Sequence, residues 1–483
     1  MSKVMTTHGY ALLKSSLTSE EDISIRKQLT VKPNTFSKYG GVEAEEFPTY
    51  LESATRLYLP RMWAREHLGP EESSVMVEGV PLPSNLKFTG KPYEYQENII
   101  NLFLEADANG LICVPCGKGK TFMAISIAFR LGKRFMVIVD KEFLLDQWAG
   151  EMRSLCPGIR IGRFQTDQME VEPEMYDCTI CMIQTIVKRQ IPETVLRSYG
   201  FTIFDECHHL GAKHFSKVLN KIQTKHMLGL SATPTRDDGL TKVFEWHLGK
   251  PVYWEKKREA DETVRVEILR YENDDPAYTN TPTNFRGEVI LPRLLTQIVN
   301  CRERSLFIAD KLKELIKEPT RRILVLSERI GHLEDLEALL KSTGVKMGYY
   351  IGGMKTAVRD LAATEAQILW ASYAMASEAM NIKTLNCVVM ASPRRKIEQS
   401  IGRILRQRPE ERSLAPLIVD VVDIHGPMCS QSRNRIQFYR KCGYKVIDGT
   451  DDSDDSDDDA PATKKQGSKK RQAELTEYAF VDD

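Results

Sequence analysis

Three clusters in this 483-residue chain have the residue types and spacing for phosphate chemistry. The first is Val114-Pro115-Cys116-Gly117-Lys118-Gly119-Lys120-Thr121. An apolar run, Leu111 to Cys113, leads into it, and Phe122 to Ala128 leads out. The glycines therefore sit in a turn between a strand and a helix, the setting a phosphate-binding loop requires. Gly117 and Gly119 let the backbone from Cys116 through Lys118 aim its N–H groups inward as an anion cradle. Lys120 then reaches the β- and γ-phosphates, and the Thr121 hydroxyl holds a magnesium ion. Val114 stands where this pattern usually has glycine, so the loop does not decide the chemistry alone. The second cluster is Asp205-Glu206, at the end of the apolar run Phe201 to Phe204. There Asp205 holds magnesium, directly or through its water shell, and Glu206 takes the proton from an attacking water. The plain alternative is a pair of solvated turn acids. The third is Gln399, Arg403 and Arg406, spaced by four and three and so on one helix face. Two arginines there neutralise transition-state charge on an ATP held by another domain, or simply form a basic surface helix.

These side chains need elements to carry them. Buried-strand runs are expected at Phe135 to Val139, Cys178 to Ile183, Phe201 to Phe204 and Met227 to Leu230, with an amphipathic helix from Lys141 to Met152. Ser231-Ala232-Thr233 leaves the last of these strands. In a parallel α/β sheet ligands sit beyond the carboxyl ends, so the loop, the acids and Ser231 converge on one edge. Upstream, Lys91-Pro92-Tyr93-Glu94-Tyr95-Gln96 opens a periodic helix. Tyr93 and Gln96 either stack on and read an adenine or start a helix with a capping glutamine. A second strand–helix alternation runs from Ile323 to Ala391 without a phosphate loop of its own. Cys113/Cys116 and Cys178/Cys181 are each spaced as C-x-x-C. Neither pair lies in the short turn that lets two thiolates share an ion, so no zinc site is expected.

Composition bounds the rest. The length suggests two to four domains. The chain shows no apolar run able to cross a bilayer and no signal-peptide pattern after Met1, and its ten cysteines are scattered. A soluble, intracellular protein with no membrane contact is expected. The net charge of zero hides an asymmetry: residues 446–483 carry −7, leaving +7 on residues 1–445. Asp451 to Asp459 has no apolar residue and reads as disordered. Beyond it, Gln472, Leu475 and Tyr478 have the spacing of a sliding-clamp-binding peptide, interrupted by Ala479; a clamp or polymerase is the partner it suggests. The chain divides into an N-terminal extension (1–85), an ATP-binding domain (86–250), a second α/β domain (251–445) and the tail (446–483). The segment Leu57 to Trp63 reads as a docking strand or loop rather than a core.

Gly117 to Thr121, Asp205-Glu206-Cys207-His208, Ser231-Ala232-Thr233 and Gln399 to Arg406, in that order across Lys91 to Asp423, resemble motifs I, II, III and VI of the superfamily 2 helicases. Leu228 to Gly239 and Met375 to Ile382 are similar to the xeroderma pigmentosum B-type branch. Leu59-Pro60-Arg61 and the overall size resemble the transcript-release and repair helicases of large DNA viruses. The resemblance implies two tandem RecA-like parallel-sheet domains, ATP and Mg2+ between them, and Arg403 and Arg406 completing the site. It implies single-strand contacts near Lys141, Gln184, Thr185, Gly352 and Gly353, with DNA favoured over RNA and 3′-to-5′ movement. For a viral protein the place is the nucleus, the viral replication site or the virion. Asn381 stands where the family commonly has aspartate, which puts the coupling of ATP state to DNA grip in question. Three other readings stay open: the motor subunit of a restriction or repair complex, an RNA-directed helicase, and a scaffold that binds without turnover.

Overall fold

The computed structural model describes residues 2–34, 44–115, 117–256, 260–378, 380, 382, 384–402 and 412–448. Cys116, Asn381, Arg403, Arg406 and the clamp-like peptide of the tail lie outside them.

The ATP-binding unit is an eight-stranded sheet. From edge to edge it runs Gln168–Met169, Ile161–Gln165, Cys178–Met182, Phe135–Val139, Phe201–Phe204, His226–Ser231, Asn109–Cys113 and Pro251–Trp254. Every pairing is parallel except that of Gln168–Met169 with its neighbour. Helices cover both faces, so alternate residues of one strand enter different cores. Phe135, Val137 and Val139 pack toward the helices Lys120–Leu131 and Glu142–Leu155, whereas Met136 and Ile138 pack toward Thr241–Leu248. Burial on both faces is why these strands read as unbroken apolar runs. Cys178 and Cys181 join opposite cores for the same reason and do not converge.

The second unit is a seven-stranded, wholly parallel sheet in the order Met347–Tyr350, Ile368–Ser372, Ile323–Ser327, Cys387–Met390, Leu417–Asp423, Arg265–Tyr271 and Lys445–Asp448. Two helix-covered parallel sheets in tandem are the α/β architecture expected.

Two boundaries move, and the N-terminal segment proves to be more than expected. Pro251–Trp254 completes the first sheet, pairing with the phosphate-loop strand, so the first unit extends past residue 250. Val446 to Asp448 pair with Arg265–Tyr271 and belong to the second sheet, not the tail. The N-terminal segment is more than a docking strand: Arg56–Leu59 lies inside a five-stranded sheet. That sheet closes a small core with Tyr10, Leu12, Ile25, Leu29, Leu57 and Trp63. It is fastened to the ATP-binding unit by buried Arg61, which donates to the carbonyls of His247 (3.1 Å) and Thr224 (2.8 Å) and to Asn109 Oδ1.

Candidate nucleotide site

Pairing of Ser231 with Cys113, and of Phe204 with Gly229, brings the ends of the three motif-bearing strands to one sheet edge. The phosphate loop leaves Cys113 there. Gly117 and Gly119 both adopt positive φ, +90° and +81°, and Gly119 is the residue from which the helix Lys120–Leu131 starts. A Cβ on Gly117 meets nothing within 4 Å, which leaves its backbone open to a ligand. A Cβ on Gly119 falls 2.4 Å from Gln96 Nε2. Gly119→Ala is therefore expected to lower ATP affinity about tenfold, from the left-handed conformation alone. Titration with a fluorescent ATP analogue checks it.

Gln96 is buried and uses both ends of its amide on the protein. Its Oε1 accepts from Tyr93 N (3.0 Å), capping the helix, and its Nε2 donates to Lys118 O (3.2 Å). The capping alternative is thus realised, and Gln96 braces the loop. Tyr95, not singled out from sequence, donates to the same Lys118 carbonyl at 3.1 Å. The Tyr93 and Tyr95 rings stack 6.0 Å apart and are exposed, leaving an aromatic face beside the loop. The Lys118 ammonium lies 3.5 Å from Glu255 and 5.4 Å from the Tyr95 ring, so Lys118 contributes backbone rather than charge.

Asp205 Oδ2 accepts from the indole N–H of Trp148 (2.8 Å) and Oδ1 from Glu206 N (3.0 Å). Burial and the adjacent Glu206 carboxylate raise the pKa of Asp205, with the Trp148 N–H and Lys120 opposing the rise. Glu206 sits at φ +43°, a left-handed conformation rare outside glycine that stores strain at functional positions. Its Oε2 is buried and takes no hydrogen bond. His208, kept neutral because burial pushes its pKa down to about 3, places Nδ1 3.0 Å from Ser231 Oγ and 3.4 Å from that Glu206 oxygen. An orphaned carboxylate oxygen beside a buried second acid fits a dication with an attacking water. Trp148 was legible only as an apolar helix residue, although a buried indole N–H usually finds an acceptor. Trp148→Phe keeps the ring and removes the donor; turnover is expected to fall roughly tenfold, since a hydrogen bond to a charged group is worth about 1.5–3 kcal/mol. Unchanged kcat at an unchanged melting temperature would separate Trp148 from the chemistry.

With this geometry in place, known proteins supply the family. Residues 89–236 match the family described as type III restriction enzyme, res subunit, and residues 308–408 match the helicase conserved C-terminal domain. A protein of Acanthamoeba polyphaga mimivirus, named for an ATP-dependent RNA helicase, is 30% identical over 92% of this chain and 86% of its own length. The chain is a superfamily 2 helicase. An African swine fever virus protein, also named for an ATP-dependent RNA helicase, is 28% identical over 68% of each chain. A Halobacterium salinarum protein, named for the DNA 3'-5' helicase Rad25, is 29% identical over 41% of this chain and 34% of its own.

The helicase hydrolyses ATP and acts on nucleic acid. Among the described residues no helix is long and apolar enough to cross a membrane. Its expected strand-contact residues divide. Lys141 begins the helix Glu142–Leu155 with its side chain 43% exposed and 3.7 Å from Asp140. Gly352 and Gly353 turn the chain, exposed, just after Met347–Tyr350. Gln184 and Thr185, by contrast, do not lie on an open loop. Strand Cys178–Met182 passes directly into helix Ile183–Lys188. There Gln184 Nε2 donates to Asp140 O (2.8 Å), and buried Thr185 accepts from Thr166 N (3.1 Å). Their side chains hold neighbouring loops. Gln399 lies on the short helix Glu398–Ile401 of the second unit.

Proposed function

We propose that this helicase hydrolyses ATP with Mg2+ to move along single-stranded DNA, serving transcript release or repair. The observation that carries the reading is the meeting of Lys120, Asp205 and the unpartnered Glu206 oxygen at one sheet edge. In this reading the backbone of Cys116 to Gly119 cradles the phosphates, and Lys120, whose Nζ lies 3.4 Å from Val114 O, extends onto their charge. Thr121 and Asp205 hold magnesium, which when bound neutralises the phosphate oxygens and screens the Asp205–Glu206 repulsion. Glu206 Oε2 takes a proton from the attacking water, while Trp148 keeps Asp205 oriented. Gln399, Arg403 and Arg406 are supplied by the second unit and are required only when the two units close. Lys141 and Gly352-Gly353 take backbone phosphates, which makes binding sequence-tolerant and salt-sensitive.

ATP hydrolysis measured without polymer, then with single-stranded DNA, duplex DNA and RNA, tests this. DNA stimulation that disappears in Lys120→Ala is the expected outcome. Preferential stimulation by RNA, which the names of the two viral relatives favour, would replace DNA as the track. Turnover that appears only with a co-purified nuclease chain would assign a motor subunit, as the name of the matching N-terminal family suggests. In this reading the clamp-like peptide tethers the motor to a replication clamp or polymerase; calorimetry with residues 469–483 checks that separately.

A further inference from the structure

Residues 272–301 contain none of the residues assigned above to the nucleotide. Within them Thr283 pairs antiparallel with Val289, and the turn between is tightly fixed. Asn284 N donates to Glu288 O (2.8 Å), and Asn284 Oδ1 accepts from Arg286 N (2.9 Å) and Glu288 N (3.0 Å). Gly287, at φ +76°, completes the reversal. This rigid tip displays Phe285, 92% exposed, with the Arg286 guanidinium 5.2 Å from the ring centroid. A lone exposed phenyl ring needs no explanation. Its setting does.

Two residues beyond Val289 the chain becomes the wall of an open crevice of about 490 Å³. Leu291 lines it together with Arg329, Arg394, Arg395 and Lys396; Glu328 is the one carboxylate in that lining. The loop carrying three of these cations follows strand Cys387–Met390 and is pinned from beneath at two carbonyls. Arg304 Nη1 donates to Ala391 O (2.7 Å) and Arg435 Nη1 to Arg394 O (2.8 Å). Both guanidiniums are buried against Asp423 and Asp420. Lys396 reaches 2.7 Å from Asp237 of the first unit, so the crevice borders the junction of the two units. A pre-set cationic trough, with an exposed ring six residues along the chain from its wall, suits a flexible polyanion that carries flat rings.

We propose that the hairpin and crevice form a single-strand binding surface, with phosphates on Arg329, Arg395 and Lys396 and a base stacked on the face of Phe285 opposite Arg286. Six extended residues from Phe285 to Leu291 span at most about 20 Å, and a strand-binding groove accommodates roughly 4–16 nucleotides. Stacking is sequence-tolerant because every base has a π-face. The proposal rests on the nucleic-acid reading above.

The test is equilibrium binding of the full chain to fluorescein-labelled oligodeoxythymidylate and oligouridylate, with an acidic polyglutamate as competitor. Phe285→Ala is expected to weaken binding about tenfold, and Phe285→Trp to keep it. Arg395→Ala is expected to flatten the log K against log salt slope by about 0.7, one phosphate contact on a single strand. An oligonucleotide carrying one 2-aminopurine should show stacking quench with wild type that Phe285→Ala abolishes. Wild-type binding with all three variants within twofold would overturn this surface alone. So would displacement by polyglutamate as effective as by oligonucleotide, which would make it a peptide site. Wild type binding neither polymer would overturn the nucleic-acid reading and this surface together.

Discussion

Glu206→Gln is expected to leave ATP binding near wild type and to lower turnover by about 10²–10⁴-fold, the usual contribution of a general base. The geometry separates the two effects. The phosphate cradle is made by backbone at Gly117 to Gly119 and by Lys120, none of which depends on the Glu206 side chain. What the substitution removes is a buried carboxylate oxygen at the sheet edge that no hydrogen bond occupies. Glutamine fills the same volume and keeps polar contact with His208, so the strained turn at φ +43° survives. Stopped-flow nucleotide binding alongside steady-state phosphate release distinguishes the cases. Loss of binding together with turnover would make Glu206 a structural prop. Turnover within threefold of wild type would place the base elsewhere.

The second large effect is on stability. Arg304 and Asp423 form an ion pair with no solvent exposure: Nε and Nη2 lie 2.6 and 2.9 Å from the two carboxylate oxygens, and Tyr278 OH donates at 2.8 Å. Arg304→Met leaves a carboxylate in the core with the tyrosine alone, and frees Ala391 O. Breaking a buried pair in this way costs about 3–5 kcal/mol. Arg304→Met with Asp423→Leu removes both charges and is expected to recover most of the loss, because paired burial gives little net stability over apolar packing. Urea unfolding of the second unit, followed by hydrogen exchange on Leu417–Asp423, reads both variants. A single-variant loss below about 1 kcal/mol, the scale of an exposed pair, would refute the account.

The same pair shows where sequence stops being enough. Apolar runs such as Phe135 to Val139 and Ile323 to Ser327 declare themselves as strands because both their faces are buried. Leu417–Asp423 is buried at every position, yet Asp420 and Asp423 interrupt its pattern. Arg435 and Arg304, which make those aspartates tolerable, lie 15 and 119 residues away in the chain. Ile161–Gln165 and Lys445–Asp448, half-buried near sheet edges, were equally unmarked. The N-terminal core likewise gathers Tyr10, Ile25, Leu57 and Trp63 from separated elements, none periodic enough to announce a unit.

At the site the division follows the same physics. Glycine spacing, a lysine at the start of a helix and acids at the end of an apolar run are local features. They made the loop and the order of the motifs legible, and the motifs taken together carried the resemblance to the family. The tertiary structure decided which partner each polar atom takes: the Trp148 indole on Asp205, Gln96 on the loop carbonyl, Gln184 on Asp140 and His208 beside Ser231. A side chain's type and period report whether it is buried and on which face. Its hydrogen-bond partner depends on strands that meet only after the chain has crossed the sheet, and that is set by packing.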